Sequence, residues 1–111
     1  GYYEEALVIA REIGDRRGEG NALDSLGLAY ADLGEVRRAI GYYEGALVIV
    51  REVGDRRAEA RVLWNLALAE EKVGKLGRAI ALTEESLRLR EVLEGMDVEM
   101  VRRALAEWRG N

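Results

Sequence analysis

Residues Gly1–Arg17, GYYEEALVIAREIGDRR, and residues Gly41–Arg57, GYYEGALVIVREVGDRR, are nearly one phrase written twice, at an offset of 40. Positions 1–40 set against 41–80 share 23 identities, among them Tyr2/Tyr42, Tyr3/Tyr43, Ala6/Ala46, Leu7/Leu47, Asp15/Asp55, Leu26/Leu66 and Ala39/Ala79. Identity at that density means one supersecondary unit built twice. A third copy fades after Glu84 and Leu87.

The unit reads as two helices. Gly14, Gly34, Gly54 and Gly74 recur at a spacing of 20, each after an apolar pattern of helical period. That is where a helix ends on a left-handed glycine. Asp15 and Asp55 follow as N-caps of the next helix. The pattern predicts helices over 2–13, 16–33, 35–53, 56–73, 75–94 and 98–109. Leu23, Leu26, Gly27, Tyr30 and Leu33 form one stripe of the second helix, and Ala39, Ile40, Tyr43, Ala46, Leu47 and Val50 one stripe of the third. The small residues Gly27, Ala39 and Ala46 mark close approach between paired helices. Neither helix covers its stripe alone; a row of stacked pairs does, which is a solenoid.

Composition agrees. The chain has 111 residues, enough for one core. It is 49% hydrophobic and 34% charged, which places it among soluble folded chains. Proline is absent and glycine occurs 13 times, as in helices joined by glycine turns. With no cysteine and no histidine, thiol nucleophiles, Ser-His-Asp triads, disulfides and Cys/His zinc sites are excluded. A net charge of −4 argues against a nucleic-acid partner, and no apolar run approaches membrane-spanning length. Glu70-Glu71 and Glu84-Glu85 are adjacent on helices and point about 100° apart, so they form no catalytic carboxylate pair. Gly18-Glu19-Gly20 lacks the Lys-Ser/Thr that a phosphate loop requires. The reading is therefore not an enzyme, with no metal and no cofactor. Arg16-Arg17 and Arg56-Arg57 recur beside their aspartates and are expected to pair with acids at helix ends.

The stretch Leu23–Leu47, LDSLGLAYADLGEVRRAIGYYEGAL, resembles a tetratricopeptide repeat through Leu26-Gly27, Tyr30, Ala39, Tyr43 and Ala46. The second copy matches through Leu63, Leu66, Ala79 and Leu87. It departs at Ala67, Glu70, Thr83 and Ser86. The period of 40, and the phrase AREIGDRRGEGNAL from Ala10 to Leu23, are similar to the longer-helix variant found in kinesin light chains and in prokaryotic signalling arrays attached to NTPase modules. The resemblance implies an all-α fold, a right-handed superhelix of about six antiparallel helices. It also implies a protein-interaction scaffold, in a cytoplasmic setting, as part of a larger signalling or regulatory protein. The division that follows is 1–14 as the second helix of an incomplete repeat, 15–54 and 55–95 as repeats, and 96–111 as a C-terminal capping helix.

By the same resemblance, the first helix of each pair lines a concave groove. Its positions fall on Asn21, Asp24, Ser25, Leu28 and Asp32, and on Arg61, Trp64, Asn65, Leu68 and Lys72. Framework residues repeat between copies whereas these differ, Leu28/Leu68 excepted. Asn65 offers an amide to a peptide backbone, Arg61 a fork to a carboxylate. Trp64 is either a peptide anchor or a contact with a neighbouring chain. A protein or peptide segment is the expected partner, with no nucleic acid and no membrane.

The ends carry two further expectations. In the last repeat Val48 becomes Arg88 and Val50 becomes Arg90, so that helix turns polar. Asp97 then caps a final helix with Val98, Val101, Leu105 and Trp108 on one stripe, Trp108 buried against the 56–73 and 75–94 helices. At the other end, Tyr2, Tyr3, Ala6, Leu7, Ala10 and Ile13 form a stripe left partly bare, which points to a homodimer and leaves self-assembly open as the alternative to groove binding.

Overall fold

The computed structural model describes residues 1–110; Asn111, the last residue of the 96–111 segment, lies outside the described residues. Six helices follow one another: α1 (Tyr2–Ile13), α2 (Arg16–Asp32), α3 (Val36–Val53), α4 (Arg56–Lys72), α5 (Leu76–Val92) and α6 (Glu99–Arg109). No strand occurs among the described residues. The fold is all-α, a solenoid of helix pairs. Each helix packs on its chain neighbours, most extensively α2 on α3 and α4 on α5. The molecule measures 47 × 31 × 18 Å.

The repeated punctuation is a repeated mechanism. Gly14 ends α1 at φ 74° and Gly54 ends α3 at φ 73°. A left-handed turn there lets the Asp15 amide donate back to the Ala10 carbonyl (2.8 Å) and the Asp55 amide to the Val50 carbonyl (3.0 Å). Each aspartate then caps the next helix. Asp15 accepts from the Gly18 amide (2.8 Å) and Asp55 from the Ala58 amide (3.1 Å).

The recurring arginines serve these turns. Glu19 is buried beside the first turn and takes hydrogen bonds from Arg11 (3.2 Å) and Arg16 (2.8 Å). Forty residues on, Glu59 takes them from Arg51 (3.0 Å) and Arg56 (3.2 Å). Burial pushes the Glu19 carboxyl up, but the bonds from Arg16 and Arg11 outweigh it and hold the group below its ordinary value. Arg17 spans to Asp55 of the next turn (2.7 Å), and Arg57 donates to the Glu94 carbonyl.

Within the first pair the tightest contact is glycine under tyrosine. A Cβ on Gly27 would lie 2.4 Å from the Tyr43 Cε1 atom, inside any permitted approach. The missing side chain lets a fully buried ring lie on the α2 backbone. The second pair changes both partners together. Gly27 becomes Ala67 and Tyr43 becomes Thr83, each wholly buried, and the Thr83 hydroxyl donates back to the Ala79 carbonyl (2.7 Å). The neighbouring pair also shifts as a unit. Arg38 lies 4.3 Å over the Tyr30 ring, whereas Arg78 pairs with Glu70, the counterpart of Tyr30.

The end of the array departs from expectation in one respect. Arg90 does not turn outward; it is buried. Its Nε donates to the Ser86 hydroxyl (3.0 Å), which itself donates to the Ala60 carbonyl (2.8 Å), and its Nη1 donates to the Asp97 carbonyl (2.9 Å). Burial pulls this guanidinium below its ordinary value, the Asp97 carboxylate opposes that, and the nearby Arg61 charge adds to it. Arg90 thus ties the 93–98 connection to α4 and α5. Asp97 accepts from the Glu99 (3.0 Å) and Met100 (3.3 Å) amides, and Val101 and Leu105 bury against the preceding pair.

The matched Gly27/Tyr43 pair makes a sign change measurable. Overpacking a filled core costs about 1–3 kcal/mol, against about 1 kcal/mol gained when alanine replaces a helical glycine. Gly27→Ala is expected to destabilise the protein by about 1–2 kcal/mol in urea unfolding. In a Tyr43→Thr background the same change is expected to stabilise by about 1 kcal/mol. The same destabilisation in both backgrounds would contradict the contact.

Candidate functional site

The stripe positions on α2 and α4 do not form one open ladder. Asp24 is buried. Its carboxylate accepts from the Arg61 Nε (3.3 Å) and the Asn65 Nδ2 (3.1 Å), so three candidate ligand residues hold one another across the seam between α2 and α4. An acid at that depth needs partners, because desolvation without them is costly. Trp64 occupies the equivalent place one repeat later. Its ring stacks on Trp108 of α6, centroids 6.1 Å apart and planes at 25°. Trp64 and Trp108 are both half-buried. The expected exposed aromatic is therefore an inter-helix contact, and Trp108 is less deeply buried than its stripe suggested. Position 24/64 faces the next helix of the same class.

The remaining candidates converge. Leu28, Asp32, Asn65, Leu68 and Lys72 surround a cleft of about 160 Å3, walled also by Ala31, Val36 and Ala69 and floored by Tyr43. Leu28 is exposed and Leu68 half-buried. The Asn65 amide oxygen is free of the bond to Asp24. Ser25 is half-buried and Asn21 exposed on the same helix, and neither lines this cleft.

Tyr43 is a residue that pattern reading assigned only to the core. Its ring is core, on Gly27, while its hydroxyl end reaches the cleft and has no hydrogen-bond partner among the described residues. Burial, with the nearby Asp24 and Asp32 carboxylates, pushes the phenol up to about 12. At neutral pH the cleft floor is thus an uncommitted O–H donor. The signal was present in the sequence as the joint change Gly27/Tyr43 to Ala67/Thr83.

The self-association stripe also divides. Leu7 and Ala10 are buried, Ala6 is half-buried, and Tyr2, Tyr3 and Ile13 are exposed. Ile9, outside the stripe as first drawn, is exposed with them.

Among the described residues no group of acids, cysteines or histidines could hold a metal, and no helix is long and apolar enough to cross a membrane. The profile of the tetratricopeptide repeat family matches residues 22–91, more than half of the chain. The chain belongs to that family, a family of protein-interaction scaffolds. Among curated proteins there is no significant sequence match. Among solved structures, the crystal structure of BtubC (BKLC) from P. vanneervenii is similar, with a TM-score of 0.84 and 26% identity. The likeness covers 98% of this chain and 48% of that one, so the chain spans about half of BtubC's length.

Two outcomes follow from this geometry. Trp64→Ala removes one half of the stack and is expected to cost about 2 kcal/mol of stability in denaturant unfolding. Unchanged stability would return Trp64 to the open surface. Tyr43 titrates from 10.0 unfolded to about 12 folded, so its stabilising contribution is complete below pH 10 and lost as pH rises toward 12. Tyr43→Phe is expected to flatten the alkaline fall in stability over that window. A difference titration, parent minus Tyr43→Phe, that places the Tyr43 ionisation near 10 would contradict the burial.

Proposed function

We propose that this scaffold binds a protein or peptide segment in the concave cleft between α2 and α4. The observation that supports the reading is the meeting of an uncommitted donor with an apolar wall. The Tyr43 hydroxyl lies at the floor, and Leu28 and Leu68, the one stripe position alike in both copies, stand on either side. An aliphatic side chain of the ligand fills the cleft. The carbonyl beside it accepts from Tyr43, and its amide donates to the Asn65 oxygen. Asp32 and Lys72 at the rim offer one charge of each sign, which orients the segment more than it tightens it. Asp24, Arg61, Trp64 and Ser25 serve as the frame, and Asn21 lies outside the cleft. In this reading the array has no catalytic role, works in the cytoplasm, and is the recognition part of a larger regulatory protein. α6 closes the stack by covering Trp64.

A second reading, self-assembly through α1, is favoured by the exposure of Tyr2, Ile9 and Ile13 on one helix. The two readings place binding at different ends and separate by mutation.

The test is selection of a displayed random peptide library on the protein, followed by titration of enriched peptides against Leu28→Asp and Leu68→Asp. The expected result is peptides with a common aliphatic residue, weakened at least about tenfold by either variant, with little change in unfolding midpoint. Enriched peptides that bind both variants as tightly as the parent, or no enrichment at all, would overturn the cleft.

A further inference from the structure

The turns inside the two complete helix pairs read alike. Leu33-Gly34-Glu35-Val36 and Val73-Gly74-Lys75-Leu76 each set an aliphatic residue on either side of a left-handed glycine. The turns meet at one edge of the solenoid. Val36 and Val73 line an open cavity of about 540 Å3 there, together with Glu35, Arg37 and Arg38. Arg37 and Val73 also line a second cavity, of about 250 Å3, whose charged walls are Glu44, Glu70, Lys75 and Arg78. The two form one trough along the edge. Leu33 and Leu76, next in sequence to Gly34 and Lys75, stand exposed at 71% and 42%.

Charge on these walls does not cancel. Glu35 is held by Arg38 (3.7 Å), and Arg78 takes both Glu70 and Glu44, the latter at 3.7 Å. That leaves Arg37 and Lys75. Among the described residues neither side chain has an ion-pair partner, in a chain whose net charge is −4. Nor do these cations stabilise the helices they open. A helix start favours an acid and opposes a cation. The first turns of α1, α2, α4 and α6 carry an acid; those of α3 and α5 carry none. Asp32 and Glu71, acids of the adjoining helix ends, line neither cavity. A segment lying in the trough therefore meets aliphatic surface and uncompensated positive charge together.

We propose that this edge trough docks an acidic segment of a partner protein. An aliphatic side chain of the segment rests on Val36 and Val73, and carboxylates on either side of it pair with Arg37 and Lys75. The trough touches the concave cleft only at Val36, so this second surface goes beyond the groove reading and fails separately from it.

The probe is an end-blocked, fluorescein-labelled peptide reading Glu-Glu-Leu three times over, titrated with the whole protein by anisotropy. Saturable binding with Kd below about 1 mM is expected. Arg37→Glu and Lys75→Glu should each weaken it at least about tenfold, with circular dichroism at the parent helicity. Arg88→Glu, the same charge change at an exposed site of α5, should leave it unchanged, as should Leu28→Asp in the cleft. Serine in place of the peptide's leucines should weaken binding at least about tenfold. Raising salt from about 0.1 to about 1 M, which shortens the screening length from about 10 to about 3 Å, should weaken it as well. No saturation at millimolar protein would overturn the proposal. So would equal loss with Arg88→Glu, which means diffuse charge, or equal affinity for the serine peptide, which means an unused apolar floor. Cosedimentation with equimolar phosphatidylserine–phosphatidylcholine vesicles that Arg37→Glu abolishes, without peptide binding, would give the edge to a membrane surface and overturn it too.

Discussion

The contact on which the first helix pair depends is a tyrosine ring resting on backbone. Tyr43 lies where the Gly27 side chain would be, and the pair can close only because that side chain is a hydrogen. Close approach fixes the separation of α2 and α3, and with it the place of Tyr43 in the lining of the cleft. Core and candidate site are two ends of one side chain. The second pair meets the same spatial demand with Ala67 and Thr83, a compact arrangement whose hydroxyl is spent on its own helix. The two repeats are therefore alike in fold and unlike in what they present.

The seams between repeats show the same economy of position with different chemistry. Position 24/64 always faces the next helix. In the first seam it is a buried carboxylate held by Arg61 and Asn65, and in the second it is an indole stacked on Trp108. Divergence at that position accompanies a change of contact. The neighbour differs: across the first seam α2 meets α4, and across the second α4 meets the shorter α6. The concave binding surface proposed above is narrower than a full stripe, namely the cleft around Leu28, Leu68 and Tyr43.

Much of the fold was legible because its causes are local and repeated. Glycines at left-handed positions, capping aspartates and apolar period set the six helices to within about two residues, and the recurring Arg-Glu groups belong to the turns. The seam geometry was not legible, because an offset of 40 shows which positions correspond and not which positions meet. Arg61 meets Asp24 across 37 residues, and Asn65 meets it across 41. Arg90 misled for a related reason. A charge at a formerly apolar position reads as surface, yet here the Ser86 hydroxyl, itself bonded to the Ala60 carbonyl, and the Asp97 carbonyl hold it inside. Ile9 escaped the first stripe because Ile49, its twin, is silent in the sequence and speaks only through its burial beneath α2.

The most direct measurement of the central contact is a proton nuclear Overhauser spectrum of the folded protein with Gly27 and Tyr43 assigned. Intense cross-peaks between the Gly27 α-protons and the Tyr43 ring protons are the expected result, since the ring carbons lie within 3.0 Å of where a Cβ would stand. Their absence, with the ring instead giving cross-peaks only to residues of α3 and α4, would contradict the account.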